Sequence, residues 1–113
     1  MAAASASRAH RVQYHGAGRM RRESGFSKKI RDKLLEIPNT YVVRTQAGSI
    51  RGIPDLLICH KGRFIAWELK VQNRKPDKLQ QLQIEKIIAC GGASAVVTPE
   101  NYAQHIKELK DGF

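Results

Sequence analysis

The chain reads as an α/β domain, a mixed central β-sheet flanked by helices in the order α-β-β-β-α-β-α. Three observations predict it. Apolar residues recur at helical spacing in three separate stretches. Four short runs are rich in β-branched, aromatic or other apolar residues and are bounded by turn-forming ones. A helical stretch separates the third run from the fourth, the kind of connection that parallel strands require. With 113 residues, 42% of them hydrophobic, one domain with a modest core is expected.

Residues 1–22 contain five arginines and no acid, and read as a basic, flexible arm preceding a single domain over 23–113. From Ser24 to Glu36 the pattern is helical. Phe26, Ile30 and Leu34 recur every fourth residue, Leu35 and Ile37 widen the stripe, and Pro38 ends it. Thr40 to Thr45 is a strand, and residues 46–52 connect it to a hairpin. The arms of that hairpin are Asp55–His60 and Phe64–Val71, with Lys61-Gly62 as the turn. Pro76-Asp77 opens a second helix with Leu79, Leu82, Ile84, Ile87 and Ile88 as its apolar positions, closed by Gly91-Gly92. Ala93 to Thr98 is the last strand, and the crossover into it should be right-handed. A final helix from Pro99-Glu100 turns Tyr102, Ile106 and Leu109 inward.

Twenty Lys and Arg against ten Asp and Glu leave a net charge of +10. Such a charge calls for a polyanionic partner. Nucleic acid fits better than membrane, because no long apolar run or basic amphipathic helix dominates the chain. The arm and the start of the first helix could lie along phosphates, and Arg44 and Arg51 are further candidate contacts. Cys59 and Cys90 form no CxxC and lack histidines at zinc spacing, so both are expected as buried thiols in a reducing, cytoplasmic setting. His10, His15, His60 and His105 are scattered. No secretory signal or transmembrane segment is read.

The chemistry-bearing residues gather in the hairpin. With a two-residue turn His60 pairs with Arg63, and Asp55 falls directly opposite Glu68 with Cβ atoms about 4.5–5.5 Å apart. A four-residue loop keeps that register, whereas an unbulged three-residue loop would put the acids on opposite faces. Lys70 projects from the same face as Glu68. Two carboxylates so placed repel, and burial worsens the conflict. A divalent cation between them resolves it, and oxygen-only ligands favour Mg²⁺ or Mn²⁺ over Zn²⁺. An acid and a lysine two apart also make an ordinary ion pair. Leu56, Leu57, Ile58, Ile65, Ala66 and Trp67 argue for more, since they leave neither face of the hairpin polar.

Gly-Ile-Pro-Asp55, then Trp-Glu68-Leu-Lys70-Val, then a helix carrying Gln80, resembles the PD-(D/E)xK nuclease superfamily. The match is nearest to its small stand-alone VRR-NUC (virus-type replication-repair nuclease) domains, over about residues 23 to 98. The resemblance implies a restriction-endonuclease-like core and Mg²⁺-dependent hydrolysis of DNA phosphodiesters, by in-line attack that leaves 5′-phosphate and 3′-hydroxyl ends. It implies metal ligation by Asp55, Glu68 and the Leu69 carbonyl, with Glu23 from the first helix reaching the same centre. Glu36 is the weaker candidate for that glutamate. Lys70 would orient the attacking water, and Gln80 would sit beside it, though Gln81 and Gln83 are neighbouring choices. It also implies a symmetric homodimer that resolves four-way (Holliday) junctions in DNA repair. The rival expectations are a nucleic-acid-binding module without catalysis, an accessory protein docked through its basic tail, and a nicking or flap-trimming nuclease.

Overall fold

The computed structural model describes residues 22–46 and 50–112, with side chains from Gly25 onward. Most of the arm, residues 1–21, lies outside the described residues. The elements are α1 (Arg22–Leu35), β1 (Thr40–Arg44), β2 (Leu56–His60), β3 (Arg63–Leu69), α2 (Lys78–Ala89), β4 (Ala93–Val97) and α3 (Tyr102–Asp111). The strands form one mixed sheet in the order β1-β2-β3-β4. The first three are antiparallel, and β3 runs parallel to β4 across the α2 connection. Among the described residues no helix is long and apolar enough to cross a membrane.

Strand alternation gives the sheet two unlike faces. On one face Val42, Leu56, Ile58, Ile65, Trp67, Leu69 and Val97 meet Phe26, Ile30 and Leu34 of α1 and Leu109 of α3. The four-residue period of α1 does what its sequence predicts: Ile30 and Leu34 are fully buried. Tyr102 and Ile106 of α3 pack at the edge of this core.

The opposite face carries α2, and only over part of its width. Ile87 of α2 reaches the start of β3, where a Cβ on Gly92 would sit 3.0 Å from Ile87 Cγ2 and 3.2 Å from Phe64 Cδ2. Of the five apolar positions expected to face inward on α2, only Ile84 is buried, whereas Leu79, Leu82 and Ile88 are exposed. A helix resting on one flank of a narrow sheet needs only a thin apolar stripe. The expectation of a hairpin buried on both sides is corrected by the same fact, as Cys59 and Phe64 are exposed. Both cysteines, expected as buried thiols, are exposed: Cys59 on the uncovered part of the sheet and Cys90 at the C-cap of α2.

Two local devices fix the hairpin. Lys61 and Gly62 both have positive φ, 51° and 82°, as a type I′ turn requires. The resulting pairs run from His60↔Arg63 to Leu56↔Trp67 with no bulge. At the other end Gly52 has φ of 82°, and a Cβ there would lie 2.5 Å from the Leu79 carbonyl oxygen. Glycine therefore lets the segment entering β2 press against the first turn of α2.

Candidate active site

Asp55 lies one residue before β2, and the register continues through it. Extending the β2–β3 pairing by one residue sets Asp55 opposite Glu68. On its other side the Thr45 N–H donates to the Asp55 carbonyl at 2.9 Å, carrying the β1 pairing one step further. The Thr45 hydroxyl also donates to the Pro54 carbonyl at 2.9 Å. Thr45 thus holds the Pro54-Asp55 peptide through its hydroxyl and its main-chain N–H. Thr45 did not stand out in the sequence, yet it could have been found by carrying the β1–β2 register past the strand ends.

The acids are positioned differently. Asp55 Oδ2 accepts the Leu69 N–H at 2.8 Å, which orients its carboxylate across the strand gap toward Glu68 and its neighbour. Glu68 is only 2% exposed. Its Oε2 lies 3.1 Å from Lys70 Nζ, and the lysine side chain is itself only 13% exposed. The apolar flanks explain the burial: Trp67 and Leu69, on either side of Glu68, point into the core and carry the strand with them. Taking a carboxylate out of water is costly, and a close ammonium with good geometry is what makes it tolerable.

Asp55, Glu68, the Leu69 backbone and Lys70 are therefore brought together. Glu23 lies in the first turn of α1, but its side chain lies outside the described residues. Glu36 lies just past the other end of that helix, exposed. Gln80 is in the first turn of α2, where its contacts form a capping box: Oε1 accepts the Asp77 N–H at 2.9 Å, and its own N–H donates to Asp77 Oδ1 at 2.9 Å. That bond ties its side chain to the helix end. Gln81 is exposed and bonds to Glu85, at 3.2 Å. Arg51 is exposed beside Gly52, and Arg44 is half-buried at the end of β1.

Among the described residues no group of three or more His, Cys, Asp and Glu side chains is close enough to hold a metal ion. The described donors are two carboxylates and a main-chain carbonyl, an oxygen-only set suited to a hard divalent cation. Neither models of known protein families nor curated proteins match the chain.

Proposed function

We propose that this protein is a Mg²⁺-dependent structure-selective DNA endonuclease of PD-(D/E)xK type, with Mn²⁺ as an effective substitute. The observation that carries the reading is the Asp55, Glu68 and Lys70 constellation at the covered end of the hairpin, in a chain of net charge +10. The α-β-β-β-α-β-α order supports a restriction-endonuclease-like core as the finer description of the fold.

Asp55, Glu68 and the Leu69 carbonyl would hold the ion, with Glu23 contributing through water or a second ion. Once bound, Mg²⁺ supplies a lowered pKa for coordinated water and a counter-charge for the phosphate. Lys70 would orient the attacking water and stabilise charge building on the phosphoryl oxygens. The 2.8 Å bond from Leu69 N–H fixes Asp55 in advance. Pairing with Glu68 does the same for Lys70.

Among the described residues no base-reading element is evident, so readout of DNA shape fits best. A four-way junction needs two matched cuts, which a C₂ homodimer supplies. The exposed Leu82 and Ile88 of α2 offer apolar surface for such a dimer. The competing reading, nucleic-acid binding without cleavage, draws on the charge and on the use of Gln80 as a cap. Incubating the full chain with labelled duplex, flap and four-way junction DNA separates the two. The nuclease reading predicts Mg²⁺-dependent cleavage strongest on the junction, and binding without cleavage under every divalent ion would leave the competing reading standing. Sedimentation should give about twice the 12.7 kDa chain mass, whereas a monomer that only nicks would favour a nicking or flap-trimming enzyme.

A further inference from the structure

The uncovered part of the sheet carries two aromatic rings in one cross-strand row. Tyr41 pairs with Cys59, and Cys59 pairs with Phe64. All three side chains therefore project from one face. Tyr41 is 43% and Phe64 48% exposed. Two strand spacings set the rings about 9–10 Å apart.

Phe64 is held in place along one edge. The missing Cβ of Gly92 lets its ring lie against Ile87 and the turn after α2, leaving the rest of the ring to solvent. It lines a cleft of about 680 Å³ whose other walls include Arg63, Lys86 and Cys90. Lys61 stands exposed in the adjacent turn. Lys61 in the turn and the exposed Lys86 on the cleft wall thus set two cations at this end of the sheet, while the acid Asp55 lies at the far end of β2.

We infer that this face is a stacking platform for single-stranded nucleic acid, with bases resting on Tyr41 and Phe64 and phosphates drawn to Lys61 and Lys86. Exposed aromatics beside cations bind single strands because every base has a π-face and every linkage has a charge. A second copy of the chain is a poorer occupant. A two-fold contact would oppose the same patch on both copies and bring these lysines face to face.

The same strand parity places Leu57 and then Asp55 beyond Cys59, with Ala66 and then Glu68 beyond Phe64. From the aromatic row to the acids is four residues, about 13 Å along the strand. A strand stacked on the rings has its continuation aimed along this face at the acid pair. That direction rests on the nuclease reading, whereas the platform itself does not.

The test measures binding of a fluorescently labelled oligothymidylate and of a labelled duplex to the full chain, without divalent ions, alongside sedimentation. The paired substitution Tyr41→Ala with Phe64→Ala should weaken oligothymidylate binding by about tenfold or more, and duplex binding far less. Tyr41→Trp with Phe64→Trp should restore the single-strand affinity in a protein of unchanged circular dichroism. Unchanged single-strand affinity in the folded alanine pair would overturn the platform. So would an equal loss for single strand and duplex, or a wild-type dimer that the alanine pair converts to monomer, which would make this face a contact between copies. Because no step of this assay requires cleavage, a protein that stacks single strands but cuts nothing would overturn the nuclease reading alone.

Discussion

Burial runs against polarity along the β2–β3 hairpin. At its open end a carboxylate, Glu68, is 2% exposed and an ammonium, Lys70, is almost covered, while at its turn end an aromatic ring, Phe64, is 48% exposed. Both ends belong to the same pair of strands and the same face of the sheet. What differs is cover. The acid end lies where the Gly52 segment presses on the start of α2, whereas at the turn end α2 has reached its C-cap and Tyr41, Cys59 and Phe64 are exposed. On the proposed reading, chemistry belongs to the covered charges and contacts to the exposed aromatics.

The largest effect should come from breaking the pair at the buried end. Lys70→Met removes the ammonium 3.1 Å from Glu68 and should cost about 3–5 kcal/mol of stability. The matching change at the turn end, Lys61→Met, should stay within about 0.5 kcal/mol. Urea denaturation of the two variants measures both, and equal losses would erase the contrast. Next in size is Gly52→Ala. It forces a Cβ against the Leu79 carbonyl and a left-handed backbone on alanine, for about 1–3 kcal/mol. Gly52 lies three residues before Asp55, so on the nuclease reading cleavage by the surviving folded fraction should fall as well.

Gln80→Ala removes half of the capping box and should cost about 1 kcal/mol in thermal unfolding. The saturating cleavage rate should be unchanged if the side chain serves only the cap. A large fall in that rate would return Gln80 to the active site. The smallest effect is a pH dependence at the turn end. His60 is buried against Thr40, with Nδ1 2.9 Å from the hydroxyl. Burial, and then the charges of Lys61 and Arg63, hold its pKa below the ordinary 6.5. The unfolded chain therefore takes up this proton first. The associated stability is present above about pH 6.5 and is lost as pH falls from there toward the folded-state value. Melting temperature should drop in that window for wild type and drop less for His60→Gln.

The hairpin was legible because its signals were local. Lys61-Gly62 sets the turn, the turn sets the register, and the register sets Asp55 opposite Glu68. The period of α1 was equally plain. The positions of Leu79, Leu82, Cys59 and Cys90 were not, because their burial depends on how much of the sheet a helix covers. Nothing in a strand's own sequence states whether a helix lies above it. Gln80 shows the same limit in another form. The family resemblance makes it a site residue beside Lys70, yet its distance of three from Asp77 suits a cap, and the described bonds are those of the cap.

On the proposed reading, Asp55 and the buried Glu68 at the open end hold a divalent ion for phosphodiester hydrolysis. Glu68→Gln keeps the shape of that end and removes the charge the ion needs. The decisive measurement follows a supercoiled plasmid extruding a cruciform, with Mg²⁺, for wild type and Glu68→Gln, with DNA affinity recorded beside the rate. Wild type should cut only with the ion present, and the folded variant should bind DNA as before and not cut. Substantial Mg²⁺-dependent turnover by the variant, or a wild-type protein that binds the plasmid and cuts it under no divalent ion, would contradict that reading.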